Sequence, residues 1–201
     1  MISIIDYKVG NLKSVSKALD NLGLKNVITN NIEEINRSKA IILPGVGAFK
    51  DAMDQLKNEN LVDCIKNFAA KGKPILGICL GMQVLYEKSF EDGEWEGLGL
   101  LEGEIVRFNN NLKVPHMGWN KLIPGVKDDI GKNLEEESYV YFVHSYYLKP
   151  QHKEEVAFWT EYGIMVPAVI RKNNIMGMQF HPEKSGKAGM KLLENFGRMI
   201  P

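Results

Sequence analysis

Short apolar runs alternate with amphipathic stretches along the first hundred residues. Ile2 to Ile5 reads as a buried strand closed by Asp6. Gly10-Asn11 then opens a helix whose apolar positions Leu12, Val15, Leu19 and Leu22 recur at helical spacing, and Gly23 ends it. Asn26 to Thr29 and Ala40 to Leu43 are further strands, the latter stopping at Pro44-Gly45-Val46-Gly47. Helical patterns follow from about Ala48 to Leu56 and from Leu61 to Ala70. Pro74 to Ile78 is a fourth strand and leads into a helix expected to continue through Val84-Leu85-Tyr86. After about Gly97 strands dominate: Ile105 to Phe108, Tyr139 to Val143, Val156 to Trp159, Ala168 to Ile170 and Ile175 to Phe180. A last helix is expected from about Ser185 to Met199, with Met190, Leu193, Phe196 and Gly197 on one side.

Strands that alternate with helices, each strand short and apolar, predict an α/β fold. The expected sheet is open, mixed and mainly parallel, twisted and flanked by helices, with additional antiparallel strands in the second half. No linker and no internal repeat interrupts the pattern, so residues 1–201 are expected to form a single domain.

Composition narrows the function classes. The 201 residues carry 25 Lys and Arg against 25 Asp and Glu, and 44% are hydrophobic. Such a balance argues against disorder, a nucleic-acid-binding tail or a membrane-surface patch. The opening Met1 to Asp6 lacks a basic region and a small-residue cleavage site, so it is not read as a signal peptide. No stretch approaches the roughly 20 apolar residues that span a bilayer. Cys64 and Cys79, with 14 residues between them, give neither a metal spacing nor a disulfide framework. A cytosolic protein without a metal is the expectation.

The candidate chemistry lies in Gly77-Ile78-Cys79-Leu80-Gly81-Met82-Gln83. A cysteine flanked by nearby glycines at a strand-to-helix junction is the sequence form of a nucleophile elbow. The N–H groups that open the following helix would favour the thiolate. The plainer alternative is a packed core cysteine, since Cys is among the residues most often buried. His181-Pro182-Glu183 directly follows the last apolar strand. In open α/β sheets, functional groups gather beyond the carboxyl ends of strands, where both Cys79 and His181 fall. Imidazole can take the thiol proton, and Glu183, on the same side of an extended segment, can hold the imidazole in one tautomer. Alternatively, Glu183 only begins the last helix, where an acid suits the dipole. Cys64, beside Leu61, Ile65 and Phe68, reads as packing, and His152 as solvent-facing.

Together, Gly-Ile-Cys-Leu-Gly-Met-Gln and the late His-Pro-Glu resemble the class I (triad) glutamine amidotransferases, whose core is flavodoxin-like. Asp6-Tyr7, Gly10-Asn11-Leu12, Leu43 to Phe49, Pro115 to Asn120, Tyr141 to Tyr146 and Gln179 to Ser185 are similar to one branch of that family. This branch contains the glutaminase subunits of imidazole glycerol phosphate synthases, in histidine biosynthesis, and the likeness covers essentially the whole chain. Lys8 departs from the Asp-Tyr-Gly common there. A branch that supplies ammonia for surface-sugar amination, and a non-catalytic cysteine-elbow α/β protein, are the alternatives.

The resemblance implies roles. Cys79, His181 and Glu183 hydrolyse the side-chain amide of glutamine without a cofactor. Backbone N–H groups of Val46 and Leu80 form the oxyanion hole. Gly45, Gly47, Gln83, His144, Ser145 and Tyr146 bind the substrate. The implied partner is a (β/α)8-barrel cyclase subunit, forming a heterodimer that channels ammonia. Asn11, Pro115, Met117, Gly118, Trp119, Tyr141 and Lys184 are the interface candidates, and His116 falls within that docking segment. From the residues alone, the Pro44–Gly47 loop is equally an ordinary turn, Trp119 equally a core tryptophan and Lys184 equally a solvated lysine. Tyr147 reads as cross-strand packing.

Overall fold

A strand that is apolar at nearly every position needs cover on both faces, and this chain puts such strands at the centre of one sheet. The computed structural model describes residues 1–109 and 111–201. The first half runs β1 (Ile2–Ile5), α1 (Leu12–Asn21), β2 (Asn26–Thr29), α2 (Ile32–Arg37), β3 (Ala40–Gly45), α3 (Phe49–Asn58), α4 (Leu61–Ala70), β4 (Ile75–Cys79) and α5 (Leu80–Gln83). The second half runs β5 (Tyr86–Ser89), β6 (Trp95–Glu96), β7 (Leu101–Arg107), β8 (His116–Lys121), β9 (Ile123–Pro124), β10 (Tyr139–His144), β11 (Tyr146–Pro150), β12 (Val156–Glu161), β13 (Met165–Lys172), β14 (Ile175–Met178) and α6 (Gly186–Arg198).

The main sheet has the order β2-β1-β3-β4-β14-β13-β12-β9. Its first five strands are parallel, and the last three extend it antiparallel. The pleat splits the core into two clusters. Ile5, Ile41, Leu43 and Ile75 face α3 and α4 through Phe49, Leu56, Ile65 and Phe68. Ile4, Ile42, Leu76 and Ile78 join Val15 and Leu19 of α1 and Leu193 and Phe196 of α6. Two smaller sheets, β10-β8 and β11-β7-β5-β6, add the β-rich second half.

The predicted elements appear with ends shifted by a few residues, and two departures are instructive. Val84 to Tyr86 does not continue the elbow helix: α5 ends after one turn and Tyr86 opens β5. The carbonyls of Val84, Leu85 and Tyr86 instead accept from Leu98, from Leu100 and Leu101, and from Gly99. A distant segment thus captures carbonyls that a longer helix would use. The second departure is α2, which has no amphipathic pattern because it buries only Ile35. Its start is fixed by the cap: Asn31 accepts from the N–H groups of Glu33 and Glu34 at 2.9 and 3.1 Å.

The elbow depends on two close approaches. A Cβ at Gly81 would collide with the Leu43 carbonyl oxygen, and one at Gly77 would lie 2.6 Å from Met82 Cα. Backbone lies on both sides, so neither site can give way. Gly81→Ala is expected to destabilise the protein by about 3 kcal/mol or more, the upper range for overpacking. A thermal melt with a wild-type midpoint would contradict the close packing of α5 on β3.

Candidate active site

Strand β4 ends at Cys79, which holds φ 54° and ψ −113°. That conformation is costly for a residue with a side chain, and here it turns the chain abruptly from strand into α5. Leu80 N–H opens α5 and has no partner within the helix. The register of β14 against β4 sets Met178 opposite Ile78, so the chain beyond β14 arrives beside Cys79.

That arriving segment carries His181. Its Nδ1 lies 2.9 Å from Glu183 Oε1, which leaves Nε2 for the Cys79 thiol, the other hydrogen-bond partner of this imidazole. Burial pushes the His181 pKa down. Hydrogen bonds donated by the imidazolium to Cys79 and Glu183, together with their negative charges, outweigh it and raise the value to about 9. A single turn at Pro182–Lys184 holds Glu183 in place, and Ser185 Oγ ties it to the sheet by accepting from Tyr141 N–H and donating to the His181 carbonyl. Glu183 Oε2 is buried without a partner.

A second polar set adjoins the sulfur. Gln83 Nε2 donates to the Tyr146 carbonyl at 2.9 Å and to Gln179 Oε1 at 3.1 Å. His144 Nδ1 donates to the same Tyr146 carbonyl at 2.8 Å. Burial, then the neighbouring His116 and His181, depress the His144 pKa to about 3 against the hydrogen bond to Tyr146, so its Nε2 carries no proton at neutral pH. His116 Nδ1 lies 3.0 Å from that Nε2, and its ring stacks between Phe142 and Tyr162. His116 is therefore an interior residue, not part of the exposed docking segment.

Cys79, Gln83, His144 and Tyr146 of these groups border a cavity of about 250 Å³. Cys79, Leu80 and Gln83 form one side, Val143 to Tyr146 another, and Val46, Gly47 and Pro115 the rim. Glu91, which sequence reasoning missed, adds a carboxylate; burial raises its pKa, and its Oε2 accepts the Phe49 N–H at 2.6 Å. Gly45 is not on the wall. It lies behind it, where a Cβ would meet Tyr7 Oη at 2.6 Å. Tyr7 donates to the Pro44 carbonyl at 2.5 Å and so props the loop from beneath. Burial, then the nearby Cys79, hold the Tyr7 phenol well above its ordinary range, so it stays a donor. Wider surface hollows exist, including one bordered by Cys64, but no histidine lines it.

The family model for class-I glutamine amidotransferases matches residues 3–200. The chain belongs to that family. Two relatives, both described as imidazole glycerol phosphate synthase subunit HisH, span this chain completely. The one from Oceanobacillus iheyensis is 50% identical, with its whole length covered. The one from Caldanaerobacter subterraneus is 51% identical, with 98% of its length covered. Among solved structures, PurLQS from Thermotoga maritima superposes with a TM-score of 0.79 at 21% identity, over all of this chain and 98% of the other. A further glutamine amidotransferase gives 0.75 at 19% identity, over 98% of each chain. These likenesses place the open α/β sheet within the amidotransferase fold.

On this amidotransferase Pro115 borders the cavity, and the other interface candidates lie on β8 and β10, just before α1, and in the turn that holds Glu183. Strand β8 pairs with β10, setting Trp119 opposite Tyr141. It turns His116 inward and Met117 and Trp119 outward, 60% and 56% exposed, so Trp119 is not a core residue. Pro115, Lys184 and Asn11 are exposed and Gly118 and Tyr141 half-buried. Asn11 also caps α1, accepting from Ser14 N–H. Gly10 before it packs against Gly45. Lys8 sits at φ 65°, a conformation glycine adopts freely, which explains what the usual glycine does at that position.

His181 and His144 give a pH dependence of opposite sign on either side of their ordinary value of 6.5. Between 6.5 and about 9, folded His181 keeps a proton that the unfolded chain has lost, so stability falls as pH rises. Between 6.5 and about 3, the unfolded chain binds a proton that folded His144 refuses, so stability falls as pH falls. Melting temperature against pH is expected to peak between these limbs. His181→Gln should flatten the alkaline limb alone; an unchanged alkaline limb would refute the raised His181.

Proposed function

We infer that this chain is the glutaminase subunit of an imidazole glycerol phosphate synthase, releasing ammonia from glutamine for a cyclase partner. The observation that carries the chemistry is His181 held between Cys79 and the Glu183 carboxylate, with Cys79 on the wall of an open cavity. Full-length identity of about half to HisH subunits supports the pathway.

In this reading the Cys79 thiolate attacks the γ-carboxamide carbon of glutamine. Charge develops on the amide oxygen, where Leu80 N–H at the start of α5 and Val46 N–H on the rim are the proposed donors. Gly47, at φ 97°, gives the Val46–Gly47 peptide freedom to turn. His181, protonated at rest, donates its proton as the C–N bond breaks and ammonia leaves. Water then attacks the thioester, His181 takes its proton and glutamate departs. Glu183 holds the Nδ1–H tautomer throughout. Glu91 provides negative charge for the substrate α-ammonium, and the backbone of His144 to Tyr146 faces its α-carboxylate. Gly45 shapes the site from behind, and Gln83 forms part of its wall with its nitrogen already committed to Tyr146 and Gln179.

Ammonia is readily protonated in water, so the cavity mouth must be sealed against the acceptor enzyme. Pro115 is on the cavity rim, and Met117 and Trp119 follow it on the exposed side of β8. Exposed Trp and Met suit an interface core. Asn11, Gly118, Tyr141 and Lys184 complete the proposed contact with a (β/α)8-barrel cyclase. Residues 1–201 act as one glutaminase domain, and the biosynthetic setting is the cytoplasm. Among the described residues no helix is long and apolar enough to cross a membrane.

Cys79→Ala is expected to lower glutamine hydrolysis by at least about a thousandfold, as loss of a covalent nucleophile does, while the melting profile persists. Glutamate release near the wild-type rate would sink the assignment. The isolated chain is expected to turn over slowly, and the cyclase with its nucleotide ligand to accelerate it. Equal rates with and without the partner would remove the proposed coupling.

A further inference from the structure

We propose that Gln179 is a catalytic residue of this glutaminase, donating from its side-chain amide to the Cys79 sulfur. The inference rests on Cys79 being the nucleophile. Gln179 is fully buried, and its Nε2 lies 3.9 Å from Cys79 Sγ.

The direction of that bond follows from its neighbours. A backbone carbonyl only accepts, so the Tyr146 carbonyl requires the nitrogen of Gln83 to face it. The same nitrogen reaches Gln179, and its second proton needs an acceptor there. Gln179 must then present Oε1 to Gln83, which leaves Nε2 facing the sulfur. His144 Nδ1, donating to the same carbonyl, holds the other end of the chain. The amide at the sulfur is therefore locked as a donor.

A donor suits the charged sulfur better than the neutral one, because hydrogen bonds to ionised acceptors are the stronger. Stability alone does not demand this pair: two facing buried amides can be exchanged for apolar groups of the same shape at little cost. Sequence position adds a second argument. Gln179 and His181 are two residues apart just beyond β14, and both side chains reach Cys79. The imidazole moves the proton and the amide stabilises the charge left behind. The same service recurs when the thioester is hydrolysed. Water oxygen bonds to the acyl carbon, its proton passes to His181, and the C–S bond breaks with its electron pair returning to Sγ. Gln179 receives that returning charge.

The test uses the full chain and iodoacetamide, with modified Cys79 followed by peptide mass spectrometry. Gln179→Leu keeps much of the volume without the amide, and Gln179→Glu keeps the oxygen for Gln83 but puts a carboxylate against the sulfur. Alkylation of Cys79 near neutral pH is expected to slow by about tenfold in Gln179→Leu, the scale of one charge-assisted bond, and further in Gln179→Glu. In the complex with the cyclase, kcat should fall while KM stays within about twofold. A wild-type alkylation rate in folded Gln179→Leu would overturn the proposal. If neither variant folds, the wild-type chain with 15N-labelled glutamine decides. The Gln179 side-chain amide resonances should move when Cys79 is alkylated, and unmoved resonances would overturn it equally. Because alkylation does not need glutamine turnover, the proposal fails separately from the glutaminase reading, which fails if Cys79→Ala stays active.

Discussion

The site depends on the collision-free packing of α5 against β3 where it leaves the end of β4. Cys79 turns there at φ 54°, and the next turn of chain lies so close to Leu43 that only glycine fits at position 81. The cost of a left-handed cysteine is borne by the buried strands around it, whose apolar residues anchor both ends of the turn. Because α5 is a single turn, the helix dipole contributes little at the sulfur. What the elbow supplies is position: a nucleophile beyond the end of the sheet, with Leu80 N–H immediately next to it.

Around that fixed sulfur the electrostatics are divided between two histidines with opposite tasks. Both are buried, and burial alone pushes an imidazole towards neutrality. His181 escapes because Glu183 and Cys79 flank it, so it rests as the cation that a departing amine needs. His144 has no acid partner and stays neutral, which lets it serve as a fixed donor at Nδ1. The Tyr146 carbonyl gathers the bonds of His144 and Gln83, and through Gln179 this set reaches the sulfur. The two systems meet at Cys79 from different elements, which makes the sulfur the most constrained atom of the site.

Strand β8 joins the interior to the surface. Alternation puts His116 against His144 and the aromatic layer, while Met117 and Trp119 face outward. Asn120, one residue past Trp119, donates to the Glu161 carbonyl and faces His116. The proposed docking side chains are thus carried on a strand whose opposite face is part of the polar network of the pocket. A partner that shifts β8 therefore acts on groups two hydrogen bonds from the cavity.

The parallel half of the fold was legible because its strands are unbroken apolar runs and its helices are periodic. The nucleophile elbow and the His-Pro-Glu segment were legible because each is local: a glycine pattern and an i, i+2 pair. Lacking such a local signature, α2, the capture of Val84 to Tyr86 by the 97–101 segment, Glu91 at the cavity and the inward His116 were not. The sequence by itself determined the residue types that this chemistry requires and their order along the chain. Only the tertiary structure decided that Gln179 meets Cys79 across the β14–β4 register, that Gln83 turns its nitrogen to Tyr146 rather than to open cavity, and that Trp119 is exposed. Those outcomes follow from strand register and from the matching of buried donors to acceptors, which join residues far apart along the chain.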